Sequence, residues 1–139
     1  MSTLASRIQE IMASNNLCVL STVDSEGKPE SALVGFSSDE KFGLLIGTST
    51  SARKYKNLQI EPTVSVVIGF GQNKQTVQYE GIAKEVNTLS IPDRLEKHIA
   101  KIPTAQKYAD NPDQRWFIVS PTWIRLVTSS PSSEEVFHP

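Results

Sequence analysis

The segment Gly47–Lys54, with the sequence GTSTSARK, combines hydroxyl groups and two cations in an order that suits anion binding. A β-rich stretch ends there and a predicted helix begins, and the free N–H groups and dipole of a helix N-terminus attract anions. Arg53 can hold two phosphate oxygens with its forked guanidinium, and Lys54 adds a point charge. The alternative is a hydroxyl cap at Thr50 or Ser51 followed by two solvated basic residues. The local sequence leaves both interpretations open.

The other side chains that often carry chemistry form no recognisable catalytic group. Cys18, the single cysteine, lies in an apolar stretch and is expected to be a small buried hydrophobic residue. His98 is assigned to the solvated surface of a helix, and His138 lies in a polar tail, too distant in sequence for a zinc site. Trp116 and Trp123 are expected to serve packing. Catalytic residues therefore stay unknown, and an enzyme built on this chain would rely on a cofactor for the chemistry.

Composition narrows the class of protein further. The chain has 139 residues, which suits one domain, and 14 Lys plus Arg against 15 Asp plus Glu give a net charge of −1. Without a basic field, binding to nucleic acid is not expected. No apolar stretch is long enough to cross a membrane, and no export signal precedes the first predicted helix, so we expect a cytoplasmic protein.

Hydrophobic periodicity predicts a mainly β protein with a few flanking helices. Leu4, Ile8, Ile11 and Met12 share one face of a short helix that Ser2 or Thr3 would cap. Further helices are predicted over 51–60 and from 90 to 102. Seven strands are predicted, over 17–23, 30–36, 42–48, 63–70, 76–86, 116–120 and 122–128. They indicate a small antiparallel barrel formed by residues 1–128 as a single domain, followed by a polar, frayed C-terminal tail over 129–139.

These parts occur in the order seen in a known family. The chain resembles the pyridoxamine 5′-phosphate oxidase-like flavoproteins, the FMN-binding split β-barrels, and keeps their spacing from about residue 17 to residue 86. The landmarks are Gly27-Lys28-Pro29, the strand Ala32–Phe36, Gly47-Thr48, Arg53-Lys54, Asn57-Leu58, the segment Glu61–Ser65 and Gly81.

The resemblance implies a set of cofactor-binding positions. In this family one strand runs along the flavin, the end of another lies beside the ribityl chain and phosphate, and a basic pair binds the phosphate. A polar residue also reaches the cofactor from the second subunit of a homodimer, which holds FMN at its interface. The strand along the flavin matches Ala32, Leu33 and Val34, and the strand end beside the ribityl chain and phosphate matches Thr48 and Ser49. The basic pair matches Arg53 and Lys54, and the polar residue from the second subunit matches Gln75 or Thr76.

Three departures separate the chain from the vitamin B6 oxidases of that family. Ala32 stands where they carry an arginine, Thr76 where they carry a glutamine, and Val127 about where a tryptophan precedes an arginine-leucine substrate pair. The resemblance therefore implies the general-stress or unassigned branch and not a true pyridoxamine 5′-phosphate oxidase.

Several functions agree with this resemblance. The first is an FMN-dependent oxidoreductase that takes electrons from NAD(P)H and acts on an unknown small substrate. The second is a non-catalytic flavin-binding or stress-related protein. A third is a split barrel that uses F420 or haem instead; the acidic tail of F420 favours a wider basic groove than Arg53, Lys54 and Lys56 suggest. Haem needs an axial ligand, for which only His98 and His138 are obvious, both poorly placed on this interpretation.

Overall fold

Antiparallel strands make up most of the molecule. A computed structural model describes residues 3–71, 75–128 and 134–139. The sheet that they form has the order β2-β1-β5-β6-β7-β4-β3, with β8 paired to β7. The strands are β1 (Leu17–Val23), β2 (Pro29–Gly35), β3 (Ser37–Ser38), β4 (Leu44–Ser49), β5 (Thr63–Ile68), β6 (Thr76–Val86), β7 (Gln114–Val127) and β8 (Glu134–Phe137).

The sheet curls around a core made by one face of its strands. In β5, Val64, Val66 and Ile68 are buried while the residues between them are exposed, because successive side chains of a strand point to opposite faces. Tyr79 of β6 is buried in this core, and its hydroxyl donates to the Phe42 carbonyl at 2.8 Å. The curled half-barrel confirms the predicted mainly β split barrel.

Within the described residues, four α-helices flank the sheet. They are α1 (Leu4–Ser14), α2 (Arg53–Ile60), α3 (Pro92–Lys101) and α4 (Gln106–Ala109). Helix α1 buries Ile8 and Met12 in the core, and Thr3 caps it through a reciprocal pair of hydrogen bonds with Ser6, as the sequence predicted.

A second, smaller core lies on the other face of the sheet. Leu45 of β4 and Trp116 of β7 are buried there against Ile102 and Ala105, which follow α3. Gly35 of β2 allows this approach, since a Cβ at that position would lie 3.2 Å from the Ile102 side chain. The chain from α3 to α4 is thereby held against the ends of β2, β4 and β7.

The structure corrects three predictions made for the strands. The segments 116–120 and 122–128 form one strand, β7, because a register shift between Glu80 and Gly81 of β6 accommodates Pro121. Ser37–Ser38, predicted as a turn, pairs with β4 as the short strand β3. Within the predicted frayed tail, Glu134–Phe137 pairs with β7, and Arg7 of α1 binds Glu135 at 2.8 Å. Residues 129–133 of that tail lie outside the described residues.

Candidate functional site

A cavity of about 400 Å³ opens where β2, β4 and β7 end beside the helices. It brings together five of the predicted cofactor-binding positions from three separate elements. These are Leu33 and Val34 of β2, Thr48 and Ser49 of β4, and Lys54 of α2. Most of the remaining wall comes from the chain between α3 and the start of β7, which contributes His98, Ile102, Thr104, Ala105, Tyr108, Gln114 and Trp116.

A smaller cavity of about 90 Å³ adjoins the first through a shared residue. Ala32 and Arg53, two further predicted positions, line it together with Glu30 of β2. Lys54 lines both cavities and therefore stands between them. Two cations and the N-terminus of α2 meet at this place.

The N-terminus of α2 carries no side-chain cap. Helix α2 begins at Arg53 with Ala52 as its N-cap, so the predicted start at residue 51 and the cap by Thr50 or Ser51 are wrong. The Ser49 hydroxyl instead lies 2.9 Å from that of Ser51 and accepts from the Ser51 backbone N–H. No side chain thus competes with a bound anion for the N-cap role at this end of the helix.

Lys54 is a partly buried cation without a counter-charge in the part of the chain that the structure describes. Among the described residues its Nζ forms neither an ion pair nor a hydrogen bond, and desolvation by burial lowers its pKa. A partly desolvated ammonium is costly unless an anion compensates it. Its position beside the Thr48 and Ser49 hydroxyls therefore favours an anionic ligand.

Arg53 is already engaged by an acidic side chain. Its guanidinium lies 2.8 Å from Glu30, and its side chain is 72% exposed whereas that of Glu30 is 16% exposed. Asn57 holds the same carboxylate by donating to it at 2.7 Å. Glu30 thus occupies one side of the guanidinium that the resemblance assigns to a phosphate.

Gln75 and Thr76 line neither of these two cavities. Gln75 is exposed, and Thr76 begins β6 opposite Val127 of β7. The resemblance assigns them to the cofactor of a second subunit, so their role stays a prediction.

His98 is buried, which overturns its assignment to the solvated surface. Only 2% of it is exposed, and its ring packs edge-on against Trp116 with 5.2 Å between the ring centres. Positions 95, 98 and 102 of a helix share one face, so His98 lies between Leu95 and Ile102 on the buried side of α3. Sequence reasoning missed it, although this spacing was a usable signal.

The remaining candidates have structural surroundings. Burial raises the pKa of Cys18 to about 12, so its thiol stays protonated inside the barrel as a small hydrophobic group. Trp116 packs in the smaller core as expected. Within the described ranges, no group of three His, Cys, Asp or Glu side chains is arranged to hold a metal ion. The same ranges contain no helix with the length and apolar character of a membrane span.

A family model settles the wider relationship. The model described as pyridoxamine 5′-phosphate oxidase matches residues 4–128. The chain belongs to this family. No curated protein sequence gives a match. Membership confirms the resemblance drawn from the motifs between residues 17 and 86.

Solved structures share the fold of this family member at low sequence identity. General stress protein 26 from Bacillus anthracis is 20% identical with a TM-score of 0.80, and the match covers 98% of each chain. A haem-binding protein from Mycobacterium smegmatis is 19% identical with a TM-score of 0.87, and 99% of this chain spans 59% of that one. The haem storage protein HutZ from Vibrio cholerae is 17% identical with a TM-score of 0.72, covering 99% of this chain and 95% of HutZ.

Proposed function

We propose that this chain binds FMN in the 400 Å³ cavity, with the flavin phosphate held at the N-terminus of α2. The observation that carries the proposal is the partly buried Lys54 ammonium, which has no counter-charge among the described residues and lines both cavities. A phosphate would supply that charge and accept from the N-terminal backbone N–H groups of α2.

The chain's own residues would divide the work of binding. Lys54 and the hydroxyls of Thr48 and Ser49 would hold the phosphate end, while Leu33 and Val34 offer an apolar edge to a flat ring. Trp116 and Ile102 close the opposite wall and exclude water from it. These groups would bind and orient the cofactor.

We infer that the protein is an FMN-dependent oxidoreductase with NAD(P)H as electron donor and a small molecule as substrate. Bound FMN would supply reversible hydride acceptance, so the residues that line the cavity need only bind and orient it. The alternative is a flavin-binding protein without turnover. Anaerobic addition of NADPH, followed by air, separates the two: bleaching and recovery of the flavin absorption supports the oxidoreductase, whereas an unchanged spectrum supports the alternative.

Haem is the second candidate cofactor, because His98 lines the cavity and two solved relatives are named for haem. An axial histidine needs a ring nitrogen with a free lone pair. The Nδ1 atom of His98 lies 2.6 Å from the Ser37 hydroxyl, which leaves Nε2 as the nitrogen that iron would need, and His138 is exposed near the C-terminal end of the described chain. We favour FMN because Lys54 and the N-terminus of α2 suit a phosphate. F420, the third candidate, has only Arg53, Lys54 and Lys56 on α2 to meet its acidic tail.

We propose that the protein is a homodimer with the site at the subunit interface. Leu33 (61% exposed), Val19 and Val67 (36% exposed) lie in register across β2, β1 and β5 on the outer face of the sheet. Leu33 also lines the cavity, so a partner that covers this stripe would reach the cavity rim.

We also propose that the protein is cytoplasmic, as expected from the sequence. Cell fractionation tests this location.

Light scattering on a charge substitution tests the dimer. Val67→Asp places a carboxylate in the stripe and should give monomers at micromolar concentration, because burying an unpaired charge is costly. Leu89→Asp is the matched control, since Leu89 is exposed and lies outside the stripe. Monomeric wild-type protein that still binds FMN tightly would contradict the interface.

Titration with FMN tests the phosphate site. Lys54→Ala should weaken FMN binding by about tenfold to a hundredfold, the usual effect of losing one charge-assisted contact. Lys56→Ala removes the same charge from an exposed position of α2 and should change the affinity less than twofold. Equal effects of the two substitutions would show that only the general charge of the helix matters and would overturn the assigned site.

A further inference from the structure

A buried polar chain stands behind one wall of the cavity. Arg94 of α3 donates from Nη1 to the Ser37 hydroxyl and from Nη2 to the Ser37 carbonyl, both at 2.6 Å. The same hydroxyl lies 2.6 Å from Nδ1 of His98, one turn further along α3. Ser37 is 4% exposed and His98 is 2% exposed, so these two side chains are shielded from bulk water, whereas Arg94 is partly buried.

The hydrogen bonds along this chain favour one form of the imidazole. Arg94 can only donate, so the Ser37 oxygen accepts from it. The Ser37 hydroxyl keeps one proton to donate, and His98 Nδ1 lies within hydrogen-bond distance of it. When Ser37 donates that proton, Nδ1 carries the lone pair and Nε2 carries the hydrogen.

The remaining ring nitrogen, Nε2, is available to a ligand. His98 lines the 400 Å³ cavity, and its Nε2 has no hydrogen-bond partner among the described residues. Burial, with Arg94 and Lys101 nearby, lowers the pKa of His98 to about 4, so the ring stays neutral at physiological pH. Ser37 is not among the residues that line the cavity, which makes it a positioning hydroxyl and not a nucleophile.

We propose that His98 binds the cavity's ligand by donating its Nε2–H to a carbonyl oxygen of a flat heterocycle. This inference rests on the proposed function, because it assigns a second polar contact in the same cavity as Lys54. Arg94 polarises the chain toward the cavity, which strengthens the donor and favours an oxygen with partial negative charge. Ile102, Ala105 and Trp116 beside it give the apolar and aromatic surroundings that a flat ring prefers.

Two ligands of the proposed reaction carry such an oxygen. One is the flavin ring of FMN, and the other is the carboxamide of a nicotinamide cofactor. The geometry at His98 suits either, so the experiment must separate them.

The test is ¹⁵N NMR of protein labelled at histidine, with a His138→Gln variant to assign the second histidine. Ligand-free protein at pH 7 should show a neutral His98 protonated at Nε2; a ring protonated at Nδ1 overturns the proposal. Addition of FMN alone should shift the Nε2 resonance if the flavin is the acceptor. A shift that appears only when NAD⁺ is added to the FMN-loaded protein assigns the nicotinamide carboxamide instead.

Failure of this inference is distinguishable from failure of the proposed function. If FMN binds the wild-type protein and neither ligand shifts His98, the inference is wrong and the FMN site stands. If FMN does not bind at all, both are overturned.

Affinity measurements on variants give an independent readout. His98→Phe keeps the ring against Trp116 but removes the donor, and should weaken the ligand identified by NMR by about tenfold. His98→Gln restores an N–H donor and should recover part of that loss. Equal affinity of His98→Phe and wild type would contradict the proposal.

Discussion

The two helical walls of the cavity hold their polar side chains in opposite ways. On the α2 side, Arg53 is mostly exposed and meets Glu30 at the surface, and Lys54 has no counter-charge among the described residues. On the α3 side, the buried His98 and the partly buried Arg94 are both held to the buried Ser37 by hydrogen bonds of 2.6 Å. The difference indicates that the α2 wall gains its missing negative charge from a ligand, whereas the hydrogen bonds of the α3 wall are already formed without one.

The largest expected effect is on folding stability and separates two arginines. Arg94→Met leaves the Ser37 carbonyl and hydroxyl without donors in a buried place and should lower the free energy of unfolding by about 3 kcal/mol. Arg53→Met breaks a mostly exposed ion pair and should cost no more than about 1 kcal/mol. Urea unfolding of both variants measures the two free energies of unfolding. Equal decreases in the two variants would contradict the proposed difference between the walls.

The next effect is a pH dependence that belongs to the α3 wall. The pKa of His98 is lowered to about 4, from an ordinary value of 6.5 that the unfolded chain retains. The unfolded state therefore takes up this proton first as the pH falls, so the stabilisation is complete above pH 6.5 and is lost between pH 6.5 and 4. We expect a loss of about 2 kcal/mol between pH 7 and pH 5 in urea unfolding.

A matched variant isolates the contribution of His98. His98→Phe has no titrating ring at that position and should flatten this part of the stability curve. If the free energy of unfolding depends on pH with the same slope in the wild type and in His98→Phe, the pH dependence does not come from His98.

The smallest effect concerns Glu30 on the α2 wall. Glu30→Gln removes the carboxylate that occupies Arg53 and should strengthen FMN binding up to about fivefold, the range of an exposed ion pair. The comparable change Glu61→Gln, at the other end of α2, should leave the affinity unchanged. Weaker binding by Glu30→Gln would mean that Glu30 positions Arg53 for the ligand and does not compete with it.

The sequence predicted one wall and missed the other for a physical reason. Lys54, Thr48 and Ser49 are close in the chain, so a strand end and a helix start reveal them together. Ser37 and His98 are 61 positions apart, and only the packing of α3 against β3 joins them. Pairs of this kind leave no local pattern, although the spacing of His98 from Ile102 did indicate the buried face of α3.

The fold was easier to predict from the sequence than the site, because the residues of a strand alternate between buried and exposed. β1 and β6 were predicted with their observed bounds, and the bulge at Gly81 was expected. The errors arose where long-range pairing decides the outcome. Pro121 was read as a break, yet the bulge lets β7 continue, and β8 forms because β7 offers it an edge.

Identifying the chromophore of the purified protein tests the central claim most directly. The account predicts a visible spectrum of oxidised flavin, and FMN, identified by mass, in the supernatant after heating. A protein purified without the cofactor should take up added FMN. A colourless chain that takes up none would contradict the account and leave Lys54 as a solvated helix cation within a family fold.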